Sequence, residues 1–262
     1  MNLTRRELFD LAGLVVAATA SGCLSHTLVP TSDLGVQEGL VHPVTHLSRK
    51  EGEERLMDFA NRKGGIEEAW FFFEHRDLWI DLGTSQWSGG LSIGDTYLNS
   101  LLQEIKRSAS YGSMRDISIY HLHDAGVVVS NAQQFADFLR ENAERPQMRV
   151  ELSQEYAELF TLPTISDLKY ALKLEGVLRE SGFSLRDSCI AWFGGIFTYH
   201  IRPSLERRYQ QEGEEVFEEL LYPAIGRGLR GRGLDDALDF LRDNGLNIQY
   251  DRKRYLTAPL EL

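Results

Sequence analysis

The chain reads as an α/β protein of the α+β kind, a mixed sheet flanked by helices. Three observations predict it. Short apolar or aromatic runs interleave with longer stretches of helical periodicity, and no internal repeat appears. The 262 residues are 42% hydrophobic and 26% charged, a balance that supports a packed core in one or two domains. Gly194-Gly195 lies between two apolar runs as a two-residue hairpin signal, so part of the sheet is antiparallel.

The elements follow in order. Residues 1–23 stand apart from the fold. Arg5-Arg6 opens the segment, residues 11–20 are mildly apolar, and Ala20-Ser21-Gly22 leads into Cys23. The apolar run is too short to span a membrane, so the segment reads as an export signal of twin-arginine type. Small residues directly before a cysteine resemble a bacterial lipobox. Cys23 is then the expected lipidation site, which anchors the exported protein to a membrane of the cell envelope. Residues 24–47, with Pro30 and Pro43, read as a tether. A first helix is expected over 48–62, closed by Gly64-Gly65. Glu68-Ala-Trp-Phe-Phe-Phe73 is too aromatic for a surface element and predicts a buried strand. Residues 78–82 are its partner after a turn at 75–77.

Gly94-Asp95 caps a second helix, in which Tyr97, Leu98, Leu101, Leu102 and Ile105 share one face. Residues 117–123 form the next strand. An insertion, 124–163, holds helical pieces at 131–142 and 153–160. A long helix runs over 166–179 and ends at Gly182. Strands follow at 188–193 and 196–201, then an acidic helix around 206–221 and a glycine-arginine stretch, 226–233, that reads as a mobile loop. A helix over 235–244 and a last strand over 246–250 complete a C-terminal extension, 203–262, expected to pack on the domain.

The formal net charge is −11, and it stays there when residues 1–22 are removed, since Arg5 and Arg6 cancel Glu7 and Asp10. An acidic chain of this kind argues against a nucleic-acid partner, because phosphate binding needs a basic face. Cys189 is the one cysteine besides Cys23, so with Cys23 lipidated no intrachain disulfide forms and the core must carry stability.

Chemistry concentrates at two places. In the strand that ends Tyr120-His121-Leu122-His123, residues two apart share a face, so the two imidazoles point the same way. Paired histidines at a strand exit make half of a metal site. Further on, Thr164-Ile165-Ser166-Asp167 has the [ST]-x-x-[DE] form of a capping box at the start of the long helix. His26, His42, His46 and His75 fall in the tether or a turn, and His200 in a strand as a half-exposed side chain.

A glutamate opening a buried strand, a later His-x-His, and a helix beginning Pro163-Thr164-x-x-Asp167 together resemble the JAMM (MPN, Mov34/PAD-1) metalloprotease family over residues 48–202. The resemblance implies a cytidine-deaminase-like fold and a Zn2+ ion held by His121, His123 and Asp167, with water as fourth ligand. Glu68 then matches the general base, and Thr164 the hydroxyl that donates to the oxyanion. Glu67 is adjacent on the opposite face; Glu68 is preferred because it abuts the apolar run. Asp124 stands where the family has proline, Thr164 replaces its serine, and about forty residues separate the two halves of the motif. Asp124 and Asp137 therefore remain alternative third ligands.

The expected activity is zinc-dependent hydrolysis of peptide or isopeptide amides at the cell envelope. Peptides, envelope proteins and wall-peptide crosslinks are the expected substrates, with the insertion gating the site or reading the substrate. The alternative is a non-catalytic MPN-like scaffold or binding lipoprotein. An amidohydrolase barrel is discounted, because His-x-His appears too late for eight strand–helix units.

Overall fold

The computed structural model describes residues 44–60, 68–84, 93, 95–107, 115–123, 128 and 154–254. The export signal with Cys23, most of the tether, the helical piece at 131–142, and Glu67, Asp124 and Asp137 lie outside the described residues.

The fold is a mixed α/β one, built on a seven-stranded sheet in the order β1-β3-β2-β4-β5-β6-β7. The strands are β1 (Val44–His46), β2 (Glu68–Phe73), β3 (Leu78–Thr84), β4 (Asp116–Leu122), β5 (Ser184–Trp192), β6 (Gly195–Ile201) and β7 (Leu246–Arg252). Neighbours pair antiparallel except β4 and β5, which run parallel. The helices are α1 (Arg49–Ala60), α2 (Asp95–Arg107), α3 (Gln154–Leu159), α4 (Ile165–Glu180), α5 (Pro203–Glu212), α6 (Glu215–Arg230) and α7 (Leu234–Asp243).

Strand alternation divides the core. Trp70 and Phe72 of β2, Trp79 of β3, Tyr120 of β4 and Cys189 of β5 pack with Leu56, Met57 and Ala60 of α1 on one face. Ala69, Phe71 and Phe73 of β2 and Ile117 and Ile119 of β4 face the other way, onto α2 and the C-terminal half of α4. On that same side Ile190, Trp192, Phe197, Tyr199 and Ile248 carry the first half of α4 together with α3 and α5–α7.

The one parallel pair positions everything that follows. Parallel neighbours need a crossover, and a helix returning the chain from the end of β4 to the start of β5 must run against both strands. The first turn of α4 therefore comes down beside the C-terminal end of β4.

Four details differ from the sequence reading. Residues 44–46, expected as tether, form an edge strand on β3, where Trp79 Nε1 donates to Leu47 O at 3.0 Å. The hairpin turn is Phe193-Gly194, and Gly195 already pairs with Trp192 as the first residue of β6. Glycine is needed there because a Cβ would lie 2.3 Å from Asp251 O. The acidic helix is two helices, broken at Gly213 (φ 80°). The glycine-arginine stretch is helical to Arg230, since α6 continues through Gly226 and Gly228. A Cβ on Gly228 would stand 2.6 Å from Leu159 Cδ2, so that glycine lets α3 and α6 approach closely, and packing overrides propensity. The last strand expected over 246–250 is β7, which joins the sheet on β6.

Candidate metal centre

His121 is the penultimate residue of β4, and His123 follows the strand, its N–H donating to Ala191 O at 2.9 Å to prolong the ladder with β5. Both side chains are largely buried, 18% and 10% exposed. Asp167 sits at the third position of α4, 13% exposed, where the crossover delivers it.

The three side chains converge. His121 Nε2 lies 3.3 Å from His123 Nε2 and 3.3 Å from Asp167 Oδ1, and His123 Nε2 lies 3.4 Å from Asp167 Oδ2. Among the described residues this is the group of three His, Cys, Asp or Glu side chains with metal-ligand spacing. One ligand atom from each of the three side chains lies within 4.8 Å of the others, so the group could hold a metal ion.

Thr164 completes the arrangement. It caps α4, and both arms of the capping box form: Asp167 N–H donates to Thr164 Oγ1 at 3.2 Å, and Thr164 N–H donates to Asp167 Oδ2 at 2.7 Å. The Thr164 hydroxyl also donates to Oδ2, at 2.9 Å. Two donors on Oδ2 orient the carboxylate and leave Oδ1 toward His121. The hydroxyl that the family resemblance assigns to an oxyanion is here engaged with Asp167. Burial pushes the Asp167 carboxyl up, but the charge and hydrogen bonds of His121 and His123 outweigh it and hold the group well below the usual carboxylate range. The ligand is anionic at neutral pH.

Glu68 opens β2, half-buried, one residue before Ala69, which pairs with His121. His200 is exposed on β6 and meets Asn247 Nδ2 at 2.9 Å, away from the triad. Sequence reasoning passed over Tyr199, whose buried ring lies under the first turn of α4 and whose hydroxyl reaches Asp167 O at 3.5 Å. Its one signal was the alternation of Phe197 and Tyr199 along β6. No family model, curated protein or solved structure matches this chain.

Proposed function

We propose that this protein is a zinc-dependent hydrolase of peptide or isopeptide amides, of the kind its His-x-His and Thr-x-x-Asp motif resembles. The observation that carries the reading is the convergence of His121, His123 and Asp167, with one ligand atom of each within 4.8 Å of the others. A bound zinc ion supplies a Lewis acid and lowers the pKa of a water toward about 7. The chain's own groups do the rest. His121 and His123 would each present Nε2, Asp167 a carboxylate oxygen, and Thr164 fixes that carboxylate.

A base that takes a proton from water and returns it to the leaving amine belongs at the start of β2. Ala69 pairs with His121, and Glu68 opens the strand one residue earlier. Glu68 is the proposed base and Glu67 the alternative, and substitution of each decides between them.

The site belongs, in this proposal, to an exported protein tethered through Cys23. No helix among the described residues is long and apolar enough to cross a membrane. The test is peptide-library cleavage by the zinc-loaded protein, read by mass spectrometry, beside Glu67→Gln and Glu68→Gln. Cleavage lost in Glu68→Gln with zinc retained supports the assignment, and cleavage lost in Glu67→Gln alone moves the base to Glu67. Cleavage that survives both substitutions sinks it.

A further inference from the structure

The N-terminal segment and the metal centre meet the sheet at the same end. Val44, the first residue of β1, pairs with Ile80, Ile80 with Phe71, and Phe71 with Ile119. Val44 is therefore level with the residue two before His121, about 7 Å along the strands and about 14 Å, three strand spacings, across them. From Val44 to His46 the chain runs away from the triad, so it enters the sheet from the metal side. Residues 24–43, which separate Cys23 from β1, reach at most about 70 Å when fully extended.

Two half-exposed aromatic side chains mark that end. Phe193 lies in the turn between β5 and β6, just past the level of His123, whose N–H donates to Ala191 O. Phe59, next to last in α1, stacks on Trp70 with ring centroids 6.4 Å apart, and Trp70 pairs with Tyr120, one residue before His121. The exposed Arg55 guanidinium stands 5.6 Å from the Phe59 ring centroid. Asp58 holds Arg254 at 2.7 Å, and Arg254 N–H donates to Gly194 O at 3.0 Å, so the end of α1 is tied to the hairpin turn.

We propose that the metal-bearing end of the sheet is a membrane-facing surface, with Phe59 and Phe193 resting among the lipid headgroups. This placement rests on the lipid-anchor reading of Cys23 and is independent of the hydrolase reading. A chain that leaves the fold beside the metal centre turns that centre toward the surface holding its anchor. Aromatic rings suit the headgroup zone, where apolar and wet surroundings meet. Arg55 can lay its stem along the same surface and keep its charge in water. Where the hydrolase reading also holds, the substrates are peptide segments of envelope proteins close to the membrane.

The test uses the full chain, matured in a host that lipidates it, in nanodiscs of phosphatidylethanolamine and phosphatidylglycerol doped with a gadolinium-chelate lipid. Methyl relaxation is read by NMR. Leu122 and Ile196 report on the metal end, while Leu185 (paired with Ile117) and Ile201 lie five residues, about 17 Å, toward the other end. Relaxation enhancement should be several-fold larger at Leu122 and Ile196, with and without zinc. Phe59→Ser combined with Phe193→Ser should flatten that difference while zinc content is unchanged. Equal or reversed enhancements in the parent overturn the placement, as does a mature chain that carries no lipid or stays off the nanodiscs. A difference undiminished in the folded double variant overturns the aromatic contact. An oriented chain that cleaves no peptide leaves the placement standing and removes the hydrolase reading.

Discussion

Replacing Thr164 with alanine separates the capping role of this residue from any role toward substrate. Two interactions disappear: the acceptance of Asp167 N–H by Oγ1 and the donation from Oγ1 to Asp167 Oδ2. Loss of a threonine N-cap costs about 1 kcal/mol. A hydrogen bond to a charged group contributes about 1.5–3 kcal/mol. The Thr164 N–H remains on Oδ2 at 2.7 Å and retains part of the second figure, so the net cost is about 2 kcal/mol. That corresponds to a fall in Tm of about 4–8 °C. Because the same donor orients a metal ligand, zinc affinity should drop about 10–100-fold. Urea unfolding in chelator measures the first quantity, and competition with a chromophoric chelator the second. Thr164→Ser keeps the hydroxyl and should stay within about 1 kcal/mol of the parent. If Thr164→Ala unfolds within about 0.5 kcal/mol of the parent and binds zinc equally well, the geometry-based reasoning is wrong.

Gly52→Ala should destabilise by about 1–3 kcal/mol or more in urea unfolding, since its Cβ would fall 2.1 Å from Cζ2 of the buried Trp79; an unchanged midpoint would mean that α1 does not rest on that indole. Arg252→Met removes the guanidinium from Glu158, whose side chain is fully buried and accepts from Arg252 Nε at 2.8 Å and Tyr250 Oη at 3.2 Å. Loss of the guanidinium from this buried carboxylate, which keeps the Tyr250 donation, should cost about 3 kcal/mol at neutral pH, with Glu158→Gln on the same background recovering part of it. Burial pushes the Cys189 thiol up to about 12 despite the nearby Arg49 charge. It should therefore resist a disulfide reagent at pH 8 in the folded protein and react at once in urea; fast labelling of folded protein would contradict its placement under α1.

How much of this was legible in the sequence depends on whether the deciding forces are local. β2 was readable residue for residue, because a run of four aromatics in six positions has nowhere to go but a core. The start of α4 was readable because Thr164 and Asp167 cap their own helix. The parallel pairing of β4 with β5 was not, since it is set by contacts across a crossover, and it alone explains why Asp167 arrives beside the histidines. Only the motif resemblance pointed to that meeting. The phase of β2 was not legible for the same reason: it follows from Ala69 pairing with His121, not from where the apolar run begins. Gly226–Arg230 misled because glycines read as a loop, while Gly228 serves the contact with Leu159.

The central claim is that His121, His123 and Asp167 hold one metal ion, and the most direct test is metal content. Purified residues 24–262, supplied with zinc and then desalted, would be assayed by elemental analysis beside His121→Ala and Asp167→Ala. One zinc per folded chain, lost in both variants, is the predicted result. A folded parent that retains no metal, or a His121→Ala variant that retains as much as the parent, contradicts the account.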